Sequence, residues 1–196
     1  MNGMALAVAA VLASYVLGSL PTGLWLGLRV RGVDIREHGS KNIGATNTMR
    51  VLGKGLGAVA LLGDVAKGAV TVLLVARIAS WEFAPLVCGL AAIVGHSWSL
   101  FLRFHGGKGV ATSAGVFLGL CPAAMGIAAL VFAVTVAATR TVSAGSILGA
   151  VAFVAAACIL PYPMPLRAIA MAVAALVIVK HRGNIQRIVS GEESRL

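Results

Sequence analysis

The stretch Ala144-Gly-Ser-Ile-Leu-Gly-Ala-Val-Ala-Phe-Val-Ala-Ala-Ala-Cys-Ile-Leu160 decides the fold class, because it carries no charged side chain from end to end. Such a run belongs in hydrocarbon, where a helix of roughly 20 apolar residues spans the bilayer. Similar apolar segments lie on either side: Met4–Leu28, Gly55–Ala76, Phe83–Leu102, Val110–Leu120, Ala123–Ala138 and Leu166–Val179. Across the 196 residues, 59% are hydrophobic and only 11% are charged, against about 25% charged in a soluble domain. Mean hydropathy is +0.96. An ordinary soluble domain and a disordered chain are both excluded. The expectation is an all-α integral membrane protein of about seven transmembrane helices, residues 1–196 forming a single membrane-embedded domain. Val110–Leu120 is the shortest segment, reaching only about 16 Å at 1.5 Å per residue. It reads as a full helix, a re-entrant piece or half of a longer helix. Cys121-Pro122 marks a turn after it, since proline disfavours helix in the residue before it.

Alternate breaks between segments share one side of a membrane. One set holds Arg29, Arg31, Arg36, Lys41, Arg50, Lys54, Arg103, Lys108, Arg140, Lys180, Arg182, Arg187 and Arg195. The other holds Arg77 and Arg167, and Lys67 lies within a segment. Cytoplasmic loops collect Lys and Arg, so the first set is expected to face the cytoplasm. The N-terminus is then outside and the C-terminus inside. No basic stretch precedes the first segment, which therefore reads as a retained helix rather than a cleaved signal. Cys88, Cys121 and Cys158 sit in separate apolar stretches without metal or redox spacing and read as core residues. Gly23/Gly27, Gly115/Gly119 and Gly145/Gly149 are spaced to let helices approach closely.

Polar residues concentrate on the predicted cytoplasmic side. Gly39-Ser40-Lys41-Asn42-Ile43-Gly44-Ala45-Thr46-Asn47 is dense in small donors, with Arg50 just beyond. Glycines let backbone N–H groups converge on an anion. The second loop reads His105-Gly106-Gly107-Lys108-Gly109-Val110-Ala111-Thr112 and runs straight into a helix, whose N-terminus offers unpaired N–H groups to a phosphate. It is not a nucleotide-binding P-loop, because neither Gly-Lys pair is followed by Ser or Thr. Ser143 and Ser146 share a helical face at the third turn. His181, Asn184 and Arg187 recur at intervals of three at the end of the last segment. Asp64 and Lys67, three apart within the membrane, read as a structural pair supporting the site, and His96 as a buried hydrogen-bonded group. The histidines lack metal-ligand spacing with carboxylates, so no metal is expected.

These residues match a family. The chain resembles the bacterial acyl-phosphate:glycerol-3-phosphate acyltransferases of the PlsY type. Four blocks carry the resemblance: Gly18–Gly23; Asp34–Asn47 with Arg50; Gly106–Thr112; and His181–Ile185 with Arg187. Ser99 and His105 depart from it, standing where the family often has Pro and a basic Lys or Arg. The resemblance implies a seven-helix enzyme of the bacterial inner membrane with its active site facing the cytoplasm. It implies transfer of a fatty acyl group from acyl phosphate to the 1-hydroxyl of glycerol 3-phosphate, giving lysophosphatidic acid. Of the family's active-site positions, His181, Asn184, Ser146 and Lys108 are expected to be catalytic. Ser40, Lys41, Asn42, Gly44, Thr46, Asn47, Arg50, Gly106, Gly107 and Gly109 are expected to bind substrate. No cofactor is expected. The expected partners are the two substrates, membrane lipid and the enzyme that makes acyl phosphate, with no nucleic acid. Two phosphates of roughly two charges each, about 5 Å apart at an effective dielectric of about 20, repel by about 13 kcal/mol. Fixed cations must offset that. The proton acceptor is left open between His181 and a substrate phosphate oxygen. A transporter for an organic phosphate is the alternative reading, against which the nearly non-polar opposite side speaks.

Overall fold

The structure is a computed structural model that describes residues 3–195. The regular secondary structure among the described residues is all helical, with no strand. The helices are α1 (Gly3–Ser19), α2 (Thr22–Leu26), α3 (Ala45–Leu52), α4 (Lys54–Leu73), α5 (Ala84–Ser97), α6 (Val110–Leu120), α7 (Pro122–Thr139), α8 (Val142–Ile159), α9 (Met164–Lys180) and α10 (Arg182–Val189). Each of the seven predicted apolar segments is helical. Four stretches are long and apolar enough to cross a membrane: Lys54–Ile78, Ala84–Leu102, Pro122–Thr139 and Val142–Ile159. The first and last segments form bent pairs, Gly3–Ser19 with Thr22–Arg31 at 47° and Met164–Lys180 with Arg182–Val189 at 57°. Val110–Leu120 is short and apolar.

The bend in the first segment corrects its reading as one unbroken helix. Pro21 has no N–H to give, so the helical ladder stops at Ser19. The Leu20 carbonyl instead accepts from the Thr22 N–H at 3.1 Å and from Lys67 Nζ at 2.9 Å. Beyond α2 the chain makes a π-helical turn over Gly27–Arg31 and stops at Gly32, in the left-handed conformation. The basic tail continues as a helix, α10, over Arg182–Val189, in keeping with the three-residue spacing of His181, Asn184 and Arg187.

The chain divides into two compact units, Met1–Leu120 and Cys121–Leu196. In the first, α1 packs on α5 and α4 on α6. Glycine sets these contacts: side chains at Gly18 or Gly95 would run into the α5 or α1 backbone, and side chains at Gly68 or Gly115 into that of α6 or α4. Without a hydrophobic drive between helices in lipid, such close approach supplies the packing. In the second unit α8 packs on α7 and α9, with Gly145 against Phe132 and Val136 of α7, as its spacing predicts. Gly23 serves otherwise. It admits Thr48 and the Ile43 carbonyl, holding a loop rather than a second membrane helix.

Candidate functional site

The first polar loop is wound around Asn47, which is 1% exposed in the first turn of α3. Its Nδ2 donates to the carbonyls of Ile35 at 2.8 Å, His38 at 3.2 Å and Asn42 at 2.9 Å, and its Oδ1 accepts the Ser40 N–H at 2.8 Å. Gly39 must stay a glycine. Its φ is +59°, and a side chain would collide with Asn47 Oδ1. Asn42 Oδ1 accepts the Gly44 N–H at 2.9 Å. Asn47 and Asn42, expected among substrate ligands, are therefore joined to the loop's own backbone. Ser40, Lys41 and Arg50 stand on the loop's exposed surface. Beneath them Ile35 and Ile43 are buried on Leu24 of α2.

The second polar loop rests on the same small core, through Leu102. Phe101 meets Trp25 edge-on with ring centroids 5.6 Å apart, and Arg29 lies 5.2 Å over that indole. Within the first unit the Ser40–Arg50 loop and Leu102, at the start of the second loop, thus share one small core, while Gly106 and Gly107 rest on His96 and Ser97 of α5. The Gly107 N–H donates to the His96 carbonyl at 3.0 Å, so this amide orders the loop. Gly109 takes a φ of +81° and its carbonyl opens α6 by accepting the Ser113 N–H at 2.8 Å. Thr112 Oγ1 and Ser113 Oγ, in the first turn of α6, are buried hydroxyls with no hydrogen-bond partner. Buried hydroxyls are normally paired, and of these two Ser113 Oγ lies toward Gly109, where the loop enters α6. His105 is exposed and bonds through Nδ1 to the Arg103 carbonyl at 2.8 Å. Ser99, the other departure, is fully buried and donates to the Ser19 carbonyl at 2.6 Å.

The second unit holds the remaining candidates. His181 sits at the joint between α9 and α10, 2% exposed, with its Nδ1 2.7 Å from the Val177 carbonyl. A carbonyl only accepts, so Nδ1 carries hydrogen and the neutral ring has its acceptor lone pair on Nε2. Ser146 Oγ donates back along α8 to the Val142 carbonyl at 2.9 Å. Asn184 and Ser143 converge on Glu193, which sequence reading missed. Glu193 Oε1 accepts from Asn184 Nδ2 at 2.6 Å and from Ser143 Oγ at 2.7 Å, and Oε2 accepts from Arg187 Nε at 2.8 Å. Burial pushes the Glu193 carboxyl up, but these three bonds and the Arg187 charge outweigh it and hold it below the usual carboxylate range. No local pattern pointed to Glu193, because its partner Ser143 is 50 positions away.

Apolar helices of spanning length and donor-rich loops at their ends define an integral membrane protein built to handle an anion. Comparison with known proteins makes this specific. A family model described as glycerol-3-phosphate acyltransferase matches residues 8–191. The chain is 46% identical over 199 residues to a glycerol-3-phosphate acyltransferase of Desulforudis audaxviator, covering 97% of this chain and 96% of that one. It is 48% identical over 185 residues to the corresponding protein of Geobacter sulfurreducens, covering 93% of each. Crystal structures of PlsY (YgiH), an integral membrane glycerol 3-phosphate acyltransferase, superpose closely. The glycerol 3-phosphate form gives a TM-score of 0.91 and the lysophosphatidic acid form 0.89, each at 34% identity and covering 97% of this chain and 95% of that one. The chain belongs to the PlsY family of glycerol-3-phosphate acyltransferases and is an acyltransferase enzyme.

Proposed function

We propose that the enzyme transfers a fatty acyl group from acyl phosphate to the 1-hydroxyl of sn-glycerol 3-phosphate, forming lysophosphatidic acid for phospholipid synthesis. The observation that supports this is that Lys41, Arg50 and Lys108, on or beside two donor-rich loops, belong to one compact unit in which both loop segments pack on the same small core. Two phosphates must be brought together against their mutual repulsion, and these cations with nearby donors offset it. The binding of glycerol 3-phosphate and lysophosphatidic acid by the PlsY relatives supports the substrate and product. Asn47 and Asn42 shape the first loop, while Ser40, Lys41, Thr46 and Arg50 face the substrates. The family match runs through both compact units, which supports one catalytic domain covering 1–196.

Acyl phosphate is an activated donor with a good leaving group. The glycerol hydroxyl attacks its carbonyl carbon directly, the C–O bond to phosphate breaks, and no enzyme-bound acyl group forms. Orientation and charge stabilisation supply most of the acceleration. His181 and Asn184 orient the acceptor, Ser146 serves the reacting carbonyl or a phosphate, and a substrate phosphate oxygen takes the proton. The Nδ1 bond to Val177 favours a second reading, in which Nε2 of His181 is the base. The acyl chain lies among helices in contact with lipid. The donor comes from the enzyme that makes acyl phosphate.

The protein crosses the bacterial inner membrane seven times, with its N-terminus outside and its C-terminus and polar loops in the cytoplasm. The placement of all but three Lys and Arg in alternate breaks supports this. Purified protein in detergent, given glycerol 3-phosphate with acyl phosphate, acyl-CoA or acyl carrier protein, tests the reaction. Lysophosphatidic acid should form from acyl phosphate. Turnover with acyl-CoA alone would overturn the donor, and no product with any donor would favour a transporter.

A further inference from the structure

Asp64 and Lys67 of α4 and His96 of α5 form a buried cluster that the reaction above does not use. Lys67 Nζ lies 2.9 Å from each of three atoms: Asp64 Oδ1, the Leu20 carbonyl and His96 Nδ1. Asp64 Oδ1 also accepts from Thr22 Oγ1 at 3.1 Å. The Lys67 and Asp64 side chains are 4% and 3% exposed, so a desolvated ion pair stands here with partners on several sides. Buried charges are tolerated when paired and hydrogen-bonded. An ammonium has three hydrogens and no lone pair to offer. With each hydrogen directed at one of the three atoms, His96 Nδ1 is an acceptor, and the neutral imidazole carries its hydrogen on Nε2.

That edge of the ring faces the second polar loop. A side chain on Gly107 would collide with His96 Nε2, and one on Gly106 with the His96 and Ser97 backbone. The Gly107 N–H is bonded to the His96 carbonyl. His96 therefore supports the turn before Lys108 with both its ring and its backbone, and its ring orientation is set by Lys67.

We infer that Asp64, Lys67 and His96 are positioning residues for the Gly106–Lys108 loop, with Lys67 locking His96 as the Nε2–H tautomer against Gly107. The intramembrane ion pair is thus coupled to the placement of Lys108, and none of the three residues touches substrate. This inference rests on the proposed phosphate-binding role of Lys108 for its kinetic consequences, while the tautomer and the loop support are independent of it.

The test uses the full-length protein in detergent. His96→Asn keeps an acceptor near the Nδ1 position and removes the ring from beneath Gly107. It should fold, raise KM for the phosphate substrates about tenfold as the turn before Lys108 loses the ring it packs on, and leave kcat less changed. In a cycle with Lys108→Ala, the double variant should be scarcely worse than Lys108→Ala alone, because His96 acts through Lys108; independent, additive losses would overturn the coupling. Hydrogen exchange should quicken in the peptide covering 105–110 and stay unchanged in α7–α9. Unchanged exchange there would overturn the loop support. Nitrogen NMR of ring-labelled histidine should show His96 protonated at Nε2 and bare at Nδ1, and Lys67→Met should abolish that preference. A ring protonated at Nδ1 in the wild type would overturn the lock. If the wild type lacks the proposed activity, the exchange and NMR outcomes still decide this inference.

Discussion

Asn184 Nδ2 donates to Glu193 Oε1 at 2.6 Å, joining α10 to the segment that follows it. With Ser143 and Arg187 on the same carboxylate, this bond fixes the corner where α8 and α10 meet. Asn184 is therefore oriented by an acidic residue in a chain whose net charge is +10.

Replacing Glu193 by Gln should cost about 1–3 kcal/mol, since bonds to a charged acceptor become neutral ones. The sign of the pH dependence follows from the lowered carboxyl. The stabilisation is fully present above the unfolded value of about 4.3. It is lost as pH falls through the lower folded value. Thermal melts in detergent should show wild type above Glu193→Gln at pH 7, with the gap closing below pH ~4. A gap that does not narrow as the pH is lowered below ~4 would show that the carboxylate charge is not the cause.

Asn47→Ala removes the one side chain that ties Ile35, His38, Asn42 and Ser40 together. Up to three carbonyls and one N–H lose their partner. A loss of about 2–3 kcal/mol in stability is expected, with a larger proportional loss in kcat/KM as Ser40 and Lys41 drift. Asn47→Asp retains the acceptor toward Ser40 and loses the donors, and should also be impaired. Wild-type kinetics in either variant would show that the loop holds itself.

Lys108→Ala should fold normally and lose on the order of 10²–10³-fold in kcat/KM, the scale of one fixed donor facing developing charge. Arg50→Lys should be poorly tolerated as well, because an ammonium lacks the planar fork of a guanidinium. Near wild-type turnover by a folded Lys108→Ala protein would reduce Lys108 to a topology residue.

His181→Gln separates orientation from proton transfer. If the imidazole orients the acceptor, the variant should keep part of the activity and the acidic limb of the pH–rate profile. If Nε2 is the base, a loss of about 10²–10⁴-fold is expected and the limb should vanish with it. We expect the limb to persist, as a property of the substrate phosphates.

Ser40→Cys in a cysteine-free background should resist an impermeant thiol reagent added to sealed cells and react after permeabilisation. Ready labelling from outside would invert the proposed orientation.

Much of the architecture was legible locally. Val110–Leu120 is a helix with the bounds its apolar run predicts, and Cys121-Pro122 marks the turn after it. The break at Leu20 was harder to see. Pro21 stands in an apolar run with no charge around it, and what stabilises the break is Lys67, 47 positions away. The donor-rich loops were legible as compositions, whereas the roles within them were not. Asn47 and Ser40 look alike in a string of small polar residues, yet one is buried with its amide bonded to four backbone groups and the other is exposed.

The sequence by itself determined that this chain is helical and lies in a membrane, and where its donor-rich polar loops fall. In hydrocarbon each backbone group must bond within its own segment, so an uncharged apolar run has few other outcomes. Only the tertiary structure decided which polar atoms meet. Lys67 with His96 and Ser143 with Glu193 are pairings across 29 and 50 positions, and each forms because packed helices bring the two chain segments together. Such contacts depend on glycine-limited helix approach and on the bends at Pro21 and His181, which no periodicity along the chain records.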